Sequence, residues 1–134
     1  MKAVLIIVIS FLLLAACNPM RRIDMLNRSG SDMKITWKLK ERDSIYTSPF
    51  FYSGSDEVEF KLKPEAPYNT VKMTFGVGRW SRDTLRVISD QLESLEIESG
   101  RGKILLNTPD DIYNYLVQRR KGIGNRKIQI LVKD

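Results

Sequence analysis

The chain has 134 residues, 22 Lys and Arg against 16 Asp and Glu, a net charge of +6, one cysteine and no histidine. Without histidine there is no Ser-His-Asp or Cys-His catalysis, no His-ligated zinc and no near-neutral imidazole proton shuttle. One cysteine permits no disulfide within the chain, and moderate basicity interspersed with acids is not a nucleic-acid footprint.

At the start, Lys2 supplies a positive charge, Ala3 to Leu14 is an apolar run broken only by Ser10, and Leu14-Ala15-Ala16-Cys17 sets small residues before the single cysteine. These are the parts of a secretory signal peptide. The run is shorter than the ~20 residues a spanning helix needs. Leu14 to Cys17 resembles the lipobox of bacterial lipoproteins. The resemblance implies that residues 1–16 are a cleaved leader and that Cys17 is acylated as the mature N-terminus. Two or more acyl chains, at ~0.8 kcal/mol per buried methylene, anchor stably where one is marginal. In such lipoproteins an Asp after the cysteine signals retention at the inner membrane. Asn18 stands there instead, and no acid-rich stretch follows, which implies the periplasmic face of the outer membrane. Residues 17–22 then form the lipidated cysteine and a short tether, with Arg21 and Arg22 solvated or touching headgroups. Residues 23–134 form one domain.

From Ile23 the pattern is mainly period two, the mark of half-buried strands. Ile23 and Met25 start a short strand. Asn27 to Asp32 is a turn by composition, and Lys34 to Lys40 is the clearest strand, with Ile35, Trp37 and Leu39 on one face. The two are expected to form a hairpin. The run from Asn27-Arg28-Ser29 to Ile35-Thr36-Trp37 is similar to the opening of small β-rich lipoproteins common in Bacteroidetes, a likeness that assigns no activity. Ser44 to Tyr52 is β-prone but broken by Pro49. Glu57 to Lys63 alternates, with Val58, Phe60 and Leu62 inward, and Thr70 to Val77 alternates again. Gly76-Val77-Gly78 lacks the rest of a phosphate loop and suits a bulge or strand end. Thr84 to Ile88, Leu92 to Glu98 and Lys103 to Leu106 read as further strands, the last two joined by a tight turn over Ser99 to Gly102.

One segment departs from period two. Thr108 as N-cap, Pro109 at the first helical position and Asp110 and Asp111 at the positive end of the dipole predict a helix. Ile112, Tyr113, Leu116 and Val117 share a face, and Gly122 is the expected stop. Lys127 to Val132 closes the chain as a strand. The sum is mainly β: an antiparallel β-sandwich, in one version immunoglobulin-like, with one late α-helix. A partly open barrel with the helix over one end is the alternative.

Few residues suggest chemistry. Trp37 lies on a strand's apolar face and reads as core. Trp80 stands in a loop between Arg79 and Arg82, where it either engages a partner or ligand or folds back over the sheet edge. Arg119, Arg120 and Lys121 are the densest cationic group, either a solvated helix end or a contact for anionic lipid or an acidic partner. Asp56, Glu57 and Glu59 lack calcium-loop spacing, though a carboxylate pair is set by the fold rather than by spacing. No cofactor or metal is expected.

These features favour a non-enzymatic, lipid-anchored envelope module that docks a protein partner through a strand edge or the Trp80 loop. Glycan or small-ligand binding is the second reading, and a carboxylate-based hydrolase the third. Replacing the lipidated thiol in Cys17→Ala is expected to move the protein from the membrane fraction to the soluble fraction on immunoblots of fractionated cells. Retention after that change would count against acyl anchoring.

Overall fold

A computed structural model describes residues 20–40 and 56–134. The alternating segments form β1 (Met20–Arg28), β2 (Met33–Leu39), β3 (Glu57–Leu62), β4 (Thr70–Val77), β5 (Leu92–Ser99), β6 (Gly102–Leu106), β7 (Arg120–Lys121) and β8 (Lys127–Lys133). Two helices join them, α1 (Arg82–Asp90) and α2 (Pro109–Gln118). The strands make two separate four-stranded sheets, β4-β1-β8-β7 and β3-β2-β5-β6, so the architecture is a sandwich and not a barrel. Neighbours are antiparallel except β1 and β8, which run parallel with Ile23 opposite Ile128 and Met25 opposite Ile130.

Alternation explains the core. Ile23, Met25, Ile128 and Ile130 of the first sheet are buried, as are Ile35, Trp37, Leu95 and Ile97 of the second. Leu85 of α1 and Ile112 and Leu116 of α2 complete it. Each fully buried aliphatic or aromatic side chain of this size contributes ~1.5–3 kcal/mol relative to exposure.

The sandwich has two distinct ends. β1 and β8 begin, and β4 finishes, at one of them. The short turn after β1 crosses at the opposite end to β2 in the other sheet. Both helices bridge the sheets at the end where β1 begins, α1 from β4 to β5 and α2 from β6 to β7. We call this the entry end and the other the far end.

Four expectations are corrected. β1 and β2 lie in different sheets and form no hairpin. Residues 84–88 are helical, not a strand. Ser81 caps α1 by accepting from the Thr84 N–H at 3.1 Å, and Leu85 and Ser89, four apart, take the buried face. The β-branched residues there had suggested period two, but the cap and the i, i+4 spacing decide it. Met20 to Arg22 belong to β1, opposite β4, rather than to a tether. Gly122 lies in the β7–β8 turn with φ 79°, and α2 ends at Gln118 with Arg119 as C-cap. The expected start of α2 is present: Thr108 accepts from the Asp111 N–H at 3.1 Å. The expected bulge is also present, since the β1–β4 register shifts between Met20 and Arg22, opposite Gly76 at φ 80°. The Ser44–Tyr52 expectation and Cys17 fall outside the described residues.

The sheet-to-sheet turn depends on Asn27, which is fully buried. Its Nδ2 donates to the Ser31 carbonyl at 2.8 Å and to the Leu62 carbonyl at 3.0 Å. Its Oδ1 accepts from the Ser29 N–H at 3.0 Å and the Ser29 hydroxyl at 2.6 Å. One amide thereby joins β1, the turn and β3. Asn27→Ala leaves several buried partners unsatisfied, so a loss of roughly 2–3 kcal/mol is expected in urea unfolding.

Candidate functional site

Two surfaces draw together the residues with functional potential. The first is a groove between open strand edges. Among the described residues β6 pairs only with β5. β7 reaches only Lys127 and Ile128 of β8, and the Gln129 N–H donates to the Arg119 carbonyl at 3.0 Å. Beyond Gln129 the outer edge of β8 has no strand neighbour among the described residues. Between the two edges lies a groove of about 300 Å³, with Ile97, Ile104, Leu131 and Val132 as apolar lining and Arg101, Lys103 and Lys133 at its margin. Ile104 is 44% exposed and its neighbour Leu105 51%. An open edge offers unpaired backbone donors and acceptors to an added strand.

Charges beside the groove are matched laterally across the second sheet. Lys103 lies 2.9 Å from Glu96 and 3.6 Å from Glu98, and Lys34 lies 3.4 Å from Glu98. Hydrogen bonding to Glu96 and then to Lys34, with help from Lys103, lowers the Glu98 carboxyl below its ordinary value. The bond to Glu96 raises the Lys103 ammonium. A second hollow of about 410 Å³ at the far end is lined by Asp32, Lys34, Lys61, Lys63 and Glu98 among others. Its Lys34 and Lys61 are tied to Glu98 and Glu59, which leaves Lys63 as its one lysine outside an ion pair among the described residues. The groove is therefore distinguished by its open backbone, not by charge.

The second surface is the entry end, where the structure brings Trp80 and the 119–121 cations together. Trp80 is fully buried, so of its two readings the indole folded back against the sheets is the one observed, and it acts as a plug. Its Nε1 donates to the Arg22 carbonyl at 2.9 Å, and its backbone N–H donates to the Asn125 carbonyl at 2.8 Å. Phe75 meets the ring edge-on at 5.2 Å between centroids, and the Arg21 guanidinium lies 5.6 Å from the ring centroid. The ring lacks the open face that stacking on a ligand needs. Arg79 and Arg82 remain exposed on either side.

Arg119 and Arg120 serve the end of α2. Arg119 Nη1 donates to the Tyr115 carbonyl at 3.0 Å and its guanidinium covers the Tyr115 ring. Arg120 Nε donates to the Val117 carbonyl at 3.2 Å, and its Nη1 reaches the Trp80 carbonyl at 3.5 Å. Arginines commonly satisfy the last carbonyls of a helix this way. Burial raises the Tyr115 phenol, opposed in part by Arg119. Of the three, only Lys121 is exposed, and Arg119 and Arg120 are half-buried.

The candidate acids do not converge on a cleft. Glu59 lies 3.3 Å from Lys61 and 3.9 Å from Lys34 on an open sheet face. Among the described residues no group of three or more His, Cys, Asp or Glu could hold a metal ion. The groove residues Ile104 and Leu131 escaped sequence reasoning, because alternation marks faces and says nothing about edges. The only signal was the shortness of Lys103 to Leu106 between a tight turn and a helix start.

Compared with family models, curated proteins and solved structures, the chain gives no match. Trp80→Ala is expected to destabilise the fold by about 3–5 kcal/mol in denaturant unfolding. Trp80→Phe, which keeps a ring but loses volume and leaves the Arg22 carbonyl without its donor, is expected to cost less, about 2 kcal/mol. Equal stability of Trp80→Ala and the wild type would contradict the plug.

Proposed function

We propose that the protein is a lipid-anchored module of the bacterial cell envelope that docks a protein partner by strand addition in the groove between β6 and β8. The observation that carries this reading is the pair of edges that have no strand neighbour among the described residues, set over an apolar lining. An extended segment laid against either edge satisfies its own backbone and the sheet's together. Its alternate side chains then enter the groove, and these give selectivity.

The leader, the resemblance of Leu14 to Cys17 to a lipobox and the Asn18 that follows support an address on the periplasmic face of the outer membrane. Strands rise about 3.3 Å per residue, so the groove at the far half of β8 stands roughly 20 Å from the start of β1. A domain held through Cys17 thus offers the groove on the side away from its anchor. The reading requires no catalysis, and the candidate acid Glu59 is engaged by Lys61 and Lys34. A glycan reading has less support, since Trp80 offers no stacking face.

The test is crosslinking and pull-down of the membrane-held protein from its native host, wild type against Ile104→Lys. An inward lysine opposes strand addition, and the position is exposed enough to spare the fold. One dominant envelope protein is expected with the wild type, with capture reduced about tenfold or more in the variant, as for a central contact. Undiminished capture by a variant with an unchanged thermal midpoint would refute docking at this groove.

A further inference from the structure

Apart from Val87 on α1, the exposed apolar side chains of the entry end gather on its first-sheet side. Met20 begins β1 and lies opposite Val77, the last residue of β4. Ile123 caps the β7–β8 turn between Gly122 and Gly124, both at positive φ. It is 87% exposed, with Met20 at 48% and Val77 at 53%. Backbone bonds hold these segments as one surface: the Arg22 N–H donates to the Arg126 carbonyl at 3.2 Å, and the Trp80 N–H to the Asn125 carbonyl at 2.8 Å. Arg79 passes beside Gly124, where an added Cβ would lie 3.1 Å from its Nε.

Cations surround these tips. Residues 20–22, 76–82 and 119–127 contain no Asp or Glu. Arg79, Lys121 and Arg126 are exposed, and none has an ion pair among those found in the described residues. The helices that bridge this end do carry acids, Asp83, Asp90, Asp110 and Asp111. There Arg86 lies 2.6 Å from Asp110 and 3.9 Å from Asp90, but the helices hold only Arg82 and Arg86 against these four acids, so the helix side is net acidic. The unbalanced positive charge is confined to the first-sheet side, where the chain arrives from Cys17 only three residues before Met20.

We propose that this end is a contact surface for an anionic lipid leaflet, with Ile123, Val77 and Met20 entering the boundary between headgroups and acyl chains and Arg79, Lys121 and Arg126 binding phosphates. Apolar tips within a ring of cations combine the two forces that hold peripheral proteins on bilayers, buried apolar area and attraction to anionic headgroups. The surface is distinct from the strand-addition groove at the far end. It takes only its proximity to a membrane from the anchoring reading. Contact at this end would hold the domain upright on its anchor, with the groove facing outward.

The test uses the full chain, purified from membranes and reconstituted into vesicles of brominated phosphatidylcholine with or without phosphatidylglycerol. Ile123→Trp places an indole at the tip, and Ile104→Trp serves as the far-end reference. Both positions are exposed, so folding is checked by near-ultraviolet circular dichroism. Stronger quenching of Ile123→Trp than of Ile104→Trp and the wild type is expected, with phosphatidylglycerol required. Adding Arg79→Gln, Lys121→Gln and Arg126→Gln should bring it back toward the wild type, each charge being worth about a fivefold change in association. Equal quenching at positions 123 and 104 overturns the contact, and quenching indifferent to phosphatidylglycerol overturns its anionic character. Flotation of the Cys17→Ala chain with vesicles of phosphatidylcholine alone, which the contact does not bind, reads the anchor separately: flotation equal to the wild type faults acyl anchoring, whatever the indole at position 123 reports.

Discussion

The entry end is organised around the indole of Trp80. Its ring fills the opening between the sheets, its N–H satisfies the Arg22 carbonyl on β1, and its backbone binds the β7–β8 turn through Asn125. Arg120 reaches its carbonyl from beyond α2. A single residue therefore contacts the segment after β4, the first strand and the turn before the last strand, three parts of the chain far apart in sequence. A buried polar tip with one well-placed acceptor fixes orientation in a way that an aliphatic plug does not.

Asn27 has the corresponding role at the opposite end, where its amide secures the crossing from the first sheet to the second. Between these two polar fixtures the core is apolar and regular. The solvent face of the second sheet is laced by lysine–glutamate pairs, which individually stabilise little. They place opposite charges across neighbouring strands, as where Lys34 lies opposite Glu98 and Glu98 opposite Lys103, and register itself is set by the buried alternate residues.

Much of the fold was legible because alternation reports burial directly. Ile35, Trp37 and Leu39 define a face whether or not the partner strand is known, and Thr108 with Pro109 announces a helix by local chemistry alone. Three things were not legible. The sheet to which a strand belongs is decided by long-range packing, so β1 and β2 looked like a hairpin when Asn27 turns the chain across the sandwich. Residues 84–88 satisfy both periods, and the tie is broken by the Ser81 cap and the need of Leu85 for the core. Trp80, with arginines on both sides, fits an exposed or a folded-back indole equally in sequence; its burial follows from Arg22 and Asn125, remote in sequence. The open edges were hidden for a related reason, since an edge is defined by a missing neighbour and leaves no periodic trace.

The parallel pairing of β1 with β8 has a consequence for biogenesis. Arg22 lies opposite Lys127, so the first sheet gains its central ladder only after almost the whole domain is available. Contacts of such long sequence separation form late, because the entropy of closing so large a loop precedes any gain from the pairing. Until then β1 has an unfinished edge and the chain has little reason to collapse into its final form. A polypeptide that postpones its own completion in this way keeps its first sheet unfinished until the last strand arrives, and truncation within β8 undoes that sheet at its centre and not at its rim.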